Sequence, residues 1–100
     1  MDLSVLEENS GRASQLLRVM SNEKRLMILC NLLDEERSVQ QLQVMTGLGQ
    51  STVSQQLAVL RGERIVTHRR EAQSVFYKIN STEAAAILET LHKVFCAPQT

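Results

Sequence analysis

The chain of 100 residues has no tryptophan, one tyrosine, one proline and two cysteines, and its basic and acidic side chains balance to a formal net charge of zero. Each scarcity removes a class of protein. Two cysteines, Cys30 and Cys96, do not make the dense disulfide framework of a small secreted domain, and in a reducing compartment they rest as thiols. The longest uninterrupted apolar runs, LMILC (26–30) and AAAIL (84–88), fall far short of the roughly 18 residues of a membrane span. No charged segment followed by an apolar stretch and a small-residue cleavage site opens the chain, so a cytoplasmic location is expected, with no membrane partner. No carboxylate dyad, nucleophile–base pair or phosphate-cradling glycine loop is visible, and an enzyme is not expected.

What is present is unevenly spread. Residues 51–80 hold five Lys or Arg against two Asp or Glu, whereas residues 1–20, 21–50 and 81–100 each come to minus one. The neutral total therefore masks one basic segment, and a basic segment is what a nucleic-acid surface needs. With 43% hydrophobic residues, residues 1–100 are expected to form one domain, but a chain this small buries only about two-thirds of its unfolded surface, so self-association would help it.

Apolar spacing gives the elements. Leu3, Leu6, Ala13, Leu16, Leu17 and Met20 predict a helix over about 4–20, weakened in its middle by Gly11. Ser21 or Asn22 offers a cap for a second helix with Leu26, Leu29, Cys30 and Leu33 on one face, so Cys30 is expected to face inward, and DEER (34–37) reads as a polar turn. Ser38 with Gln41 is a capping-box signature opening a short helix that Gly47 closes. QSTVSQQLAVLRG (50–62) has Val53, Leu57 and Leu60 at helical spacing, and IVTHRR (65–70) and SVFYKI (74–79) are β-rich segments around a three-residue connection, EAQ. Asn80, with Glu83 at N3, would cap a last helix that runs toward Pro98. The fold class is accordingly mainly α with a β-hairpin wing: a winged helix-turn-helix, with the helix pair at about 38–62 and the wing at about 64–79.

In that arrangement one helix face must reach base edges while the other is anchored. With Val53, Leu57 and Leu60 turned inward, Gln50, Ser51, Ser54, Gln55 and Arg61 turn outward, and Thr52 and Gln56 lie at the flanks. Gln can bond adenine bidentately, and Ser and Thr can bond bases or phosphates. Arg69 and Arg70 near the hairpin tip, with His68 and Lys78 along its strands, suit groove or phosphate contact. Each feature alone has an ordinary explanation, a solvated helix face or a surface pair of cations. Their order along the chain favours DNA.

Three stretches, LLRVMSNEKRLMILCNLL, TGLGQSTVSQQLAVLR and IVTHRREAQSVFYKI, together resemble the ArsR/SmtB family of bacterial repressors over about residues 12–96. The resemblance implies a homodimer formed by the first and last helices, about 4–20 and 81–96, binding an imperfect inverted repeat in double-stranded operator DNA. The chain departs from the family pattern in having Gly49 where a Ser commonly starts the recognition helix, Gln56 where a His is common, and Arg64 where a Gly commonly precedes the wing. A left-handed backbone at Arg64 would be strained.

Many members of the family sense metals, but here SVQQLQVMT (38–46) contains no Cys-x-Cys, and the last helix offers Glu83, Glu89 and His92 without an Asp-x-His opening. No metal and no cofactor is expected. RLMILC, LHKVFC and EAQSVFY instead resemble a thiol-based branch of the family, the biofilm-growth and haemolysin-regulator type. That resemblance implies that Cys30 and Cys96 join through a disulfide or a bridge of extra sulfur atoms in response to reactive sulfur species or oxidants, and that DNA affinity then falls. His92 and Lys93, four and three residues before Cys96, share its side of the helix, from where either can favour a thiolate, although for His92 an ordinary surface residue is the leading reading. Two other readings stay open: a DNA-binding regulator with inert cysteines that competes with other DNA-bound proteins, and a protein-interaction module with a degenerate wing.

Overall fold

The computed structural model describes residues 2–95. The chain is mostly helical, with a small antiparallel sheet whose strand order puts the last strand in the middle.

The helix predicted over 4–20 is two helices, α1 (Leu3–Glu8) and α2 (Ser10–Met20). The break is at Asn9, two residues before the glycine that composition pointed to. The Asn9 backbone N–H is shared between the Val5 and Leu6 carbonyls, and its side-chain amide donates to the Val5 carbonyl at 2.9 Å. Asn side chains offer the backbone such local alternatives to helix continuation.

Helix α3 (Glu23–Asn31) is capped by Asn22, whose side chain accepts from the Arg25 backbone N–H at 3.1 Å. Its core-facing residues are Ile28 and Leu29, followed by Leu32 just past its end, while Leu26 and Leu33 are only partly buried. At about 100° per residue, Cys30 falls about 150° from the centre of that face. The inward orientation expected for Cys30 is therefore corrected: the residue is exposed.

After the polar turn, β1 (Arg37–Ser38) runs into α4 (Val39–Thr46) through the expected capping box, with Ser38 Oγ accepting from the Gln41 N–H and Gln41 accepting from the Ser38 N–H. Gly47 ends α4 with φ of +76°, a conformation that costs glycine little. Helix α5 (Gln50–Gly62) follows, and Val53, Leu57 and Leu60 are all fully buried.

The exit from α5 explains how Arg64 is tolerated. Its φ is +60°, as the expected strain requires. The Arg64 N–H donates to the Arg61 carbonyl at 3.0 Å and the Ile65 N–H to the Leu60 carbonyl at 2.9 Å, which together form a Schellman motif with Arg64 in the position glycine usually holds. Burial of Ile65 against the core completes it. The strain is held in place by two hydrogen bonds and an apolar anchor.

Strands β2 (Val66–Glu71) and β3 (Ser74–Ile79) pair with Glu71 opposite Ser74. The connection is thus two residues, Ala72 and Gln73, rather than the expected three, and Ala72 takes φ of +55°, as the first position of a type II′ hairpin turn does. β3 also pairs with β1, Arg37 opposite Tyr77 and Ser38 opposite Phe76. Helix α6 (Thr82–Phe95) is capped by Ser81 rather than by Asn80: the Ser81 hydroxyl accepts from the Ala84 N–H at 3.0 Å.

The core draws on α2 through α6 and the base of the wing. Helix α1 contributes no buried residue. The radius of gyration is 14.7 Å, against about 13 Å for a compact chain of this length. Leu3, Val5, Leu6 and Leu17 on the first two helices and Val94 and Phe95 on α6 are more than half exposed.

Replacing Arg64 by Gly removes a left-handed cost of about 1–2 kcal/mol and adds a smaller entropic one. The expected result is stabilisation by about 1 kcal/mol with Arg64→Ala near neutral, read from urea midpoints at unchanged slope.

Candidate nucleic-acid interface and thiol cleft

Helix α5 separates its two faces cleanly. The buried residues Val53, Leu57 and Leu60 fix it against α3, α4 and β2. On the other side Gln50, Ser51, Ser54, Gln55 and Arg61 are exposed, and Thr52 and Gln56 are partly buried, as the helical spacing predicted. No side chain caps the N-terminus of α5, because its cap residue is Gly49. Its first N–H groups accordingly face outward with the partial positive charge of the helix end.

Gln56 differs from the other amides. Its Oε1 accepts from Arg25 NH1 at 3.1 Å, while Arg25 Nε donates to the Val19 carbonyl at 2.7 Å. One guanidinium thus ties the end of α2, the start of α3 and the flank of α5 together. Nothing in the sequence pairs Arg25 with Gln56, 31 positions apart.

The wing lies directly after α5. Arg70 is exposed on β2, and His68 packs across the ribbon against Tyr77 with ring centroids 5.6 Å apart and ring planes tilted by 34°. Arg69 points to the opposite face of the ribbon from Arg70. Its Nε donates to both carboxylate oxygens of Glu36 at 3.1 Å, its NH2 bonds one of them as well, and NH1 reaches Glu71 at 3.1 Å. The guanidinium also sits 5.0 Å from the centre of the Phe76 ring. Hydrogen bonds from Arg69 hold the Glu36 carboxyl below its ordinary range, and those from Glu36 and then Glu71 hold the Arg69 guanidinium above its own. A lowered carboxylate contributes above its ordinary value and is lost as pH falls through the lowered one, so this contact persists at neutral pH and opens only in acid. Both arginines stand out in the sequence, but their charge pattern does not reveal Glu36, 33 positions from Arg69, as a partner.

Cys30 opens into a cleft of about 450 Å³ bounded by Asn31, Leu33, Asp34 and Arg37 on one side and by Glu89, His92 and Lys93 of α6 on the other. The two side chains singled out near Cys96 thus reach the cleft that holds Cys30. Cys96 itself lies outside the described residues. Among the described residues no group of three or more His, Cys, Asp or Glu side chains is arranged to hold a metal, and no helix is long and apolar enough to cross a membrane.

A short helix, a left-handed glycine turn, a second helix with an anchored and a polar face, and a hairpin beside it make a winged helix-turn-helix, a class of DNA-binding protein. The comparisons with known proteins narrow the class. The chain belongs to the ArsR family of bacterial transcriptional regulators: the family described as bacterial regulatory protein, arsR family, matches residues 22–68. The transcriptional activator HlyU of Vibrio cholerae serotype O1 is 50% identical over 96 residues, covering 96% of this chain and 89% of that one. The biofilm growth-associated repressor of Xylella fastidiosa strain 9a5c is 38% identical over 94 residues, covering 94% and 82%. Among solved structures, reduced HlyU from Vibrio cholerae superposes with a TM-score of 0.88 at 49% identity, over 95% of this chain and all of that one. The Xylella fastidiosa repressor BigR superposes with a TM-score of 0.91 at 38% identity, over 98% of this chain and 100% of that one. The protein is a regulator of transcription, not an enzyme.

The two neighbouring glutamines are expected to separate in stability measurements. Gln56→Ala removes the Arg25 partner and costs about 1 kcal/mol, whereas Gln55→Ala, on the open face, stays within about 0.5 kcal/mol; chemical denaturation of both variants checks this.

Proposed function

We propose that this regulator holds operator DNA as a homodimer and releases it when Cys30 and Cys96 react. Residues 1–100 act as one winged-helix unit in this reading. In each protomer α5 enters a major groove, where Gln50, Ser51, Thr52, Ser54, Gln55 and Arg61 meet base edges and phosphates with Gln56 at the flank holding Arg25, and the wing, with Arg69 and Arg70, lies alongside. Two such helices must lie about 34–36 Å apart to read successive major grooves of an inverted repeat. The exposed apolar side chains of α1 and α6, Leu3, Val5, Leu6, Val94 and Phe95, support a dimer built from those two helices, since isolated apolar arms gain stability only by covering one another.

The thiol switch is carried by one observation: Cys30 is exposed in a cleft whose far wall is formed by His92 and Lys93, the residues four and three positions before Cys96 in sequence. Two thiols can be joined by a two-electron oxidant if they meet in that cleft. A peroxide accepts the electron pair and, with the two thiol protons, departs as water, leaving a direct disulfide; a polysulfide accepts the pair on one sulfur, which departs as sulfide, and can leave further zero-valent sulfur atoms in the bridge. Thiolates are the reacting species, and nearby cations favour them. That a Vibrio cholerae relative has been solved in a form described as reduced supports a redox-active state in this group. A bridge from α3 to the end of α6 would tie the helix packed behind α5 to the dimer arm and move the two α5 helices off their spacing.

Two outcomes test the reading. Gln55→Ala is expected to lower operator affinity by about 1–3 kcal/mol while binding to unrelated duplex stays constant, measured by fluorescence anisotropy. Polysulfide treatment is expected to weaken operator binding of the parent by about 5- to 150-fold, with intact mass reporting the bridge, and to leave Cys30→Ser and Cys96→Ser bound. Equal release by either variant would falsify the two-cysteine switch.

A further inference from the structure

We propose that Glu36 is a positioning residue for DNA recognition, which holds Arg69 so that the wing keeps a fixed angle to the helical body and offers Arg70 as its phosphate-contacting cation. The inference rests on the DNA-binding reading and not on the thiol switch.

A two-stranded ribbon is marginally stable alone and needs further attachment to hold a direction. This ribbon is attached at its base by burial of Ile65 and Val66 and along β3 by the two-residue ladder with β1. Further out along β2, the described attachment to the body is the Arg69–Glu36 contact, between residues 33 positions apart. Glu36 stands in the turn between α3 and β1, and that turn is itself held. Arg37 donates to the Asn31 carbonyl at 3.2 Å and to Glu35 at 3.0 Å, and its backbone pairs with Tyr77. An exposed ion pair adds little stability. A carboxylate that meets two nitrogens along one edge of a guanidinium, as Glu36 meets Nε and NH2 of Arg69, instead fixes orientation, which is what a reading device requires.

Charge sorting leads to the same assignment. Arg69 is flanked by two carboxylates and laid over Phe76, so releasing it to a phosphate would leave Glu36 and Glu71 to face the DNA backbone. Arg70, on the other face, is exposed. Of two adjacent arginines that look equivalent in sequence, one is a strut and one is a contact.

The test uses the reduced full-length protein, a duplex from the region upstream of its own gene, and a scrambled duplex of equal length, with affinities measured across a salt series. In Arg69→Ala the upstream-to-scrambled affinity ratio is expected to fall about 10-fold with an unchanged salt slope, whereas Arg70→Ala makes the slope shallower by about 0.9, the value of one phosphate, at an unchanged ratio. Glu36→Gln is expected to lower the ratio by a similar factor while strengthening binding to the scrambled duplex, because Arg69 is then released. The charge-swapped E36R/R69E variant recovers most of the ratio, which a general loss of folding would not allow. The proposal is overturned if Arg69→Ala makes the slope shallower by about 0.9 at constant ratio, or if Glu36→Gln leaves the ratio unchanged. A parent protein that binds both duplexes equally would refute sequence-selective reading itself, and is separately visible because it needs no variant.

Discussion

The molecule depends on how one helix is held. Val53, Leu57 and Leu60 are each fully buried, and by filling the space between α3, α4 and β2 they fix the rotation of α5 about its own axis. That rotation decides which side chains look outward. Because the helix turns by about 100° per residue, a roll of two residues, a little over half a turn, would replace Ser51 and Gln55 with the apolar Val53 and Leu57 at the surface. A face able to address base edges is thus a by-product of a well-filled core. The same core continues through the Schellman junction at Arg64 into Ile65 and Val66, so the position of the wing follows from that of α5.

The body and the wing are further joined by the turn between α3 and β1. Arg37 pairs with Asp34 and Glu35 and donates to the Asn31 carbonyl, while the adjoining Glu36 pairs separately with Arg69. Asn31 follows Cys30, and Arg37 borders the cleft that Cys30 opens into. Cys30 therefore lies beside the segment that grips the wing. The polar turn lies between the Cys30 cleft and the wing.

Much of this was legible in the sequence because its causes are local. The capping box at Ser38, the glycine at 47 and the i, i+4, i+7 apolar spacing of α5 each specify their own few residues. The helix pair and the wing follow from reading them in order. Cys30 was misplaced because apolar side chains fill positions 26 to 29 and 32 to 33, a density compatible with several buried faces. Only packing against α4 and α5 selects the face centred on Ile28, Leu29 and Leu32. The two-residue strand β1 has no periodicity to detect. Asn80 and Ser81 are equally good cap residues one position apart, and the hydrogen bond to Ala84 decided between them. The partners of Arg25 and Arg69 lie 31 and 33 positions away in sequence. No local pattern carries such pairings, and they are what distinguish a contacting side chain from a supporting one.

The central claim is that the polar face of α5 and the adjoining wing read DNA sequence. The most direct measurement is the affinity of the reduced protein for the duplex upstream of its own gene and for a scrambled duplex, across a range of salt concentrations. The account predicts that the logarithm of affinity falls linearly with the logarithm of salt for both, and that the upstream duplex binds tighter by about 1,000-fold or more at physiological salt. Equal affinity for the two duplexes, or binding indifferent to salt, would contradict it.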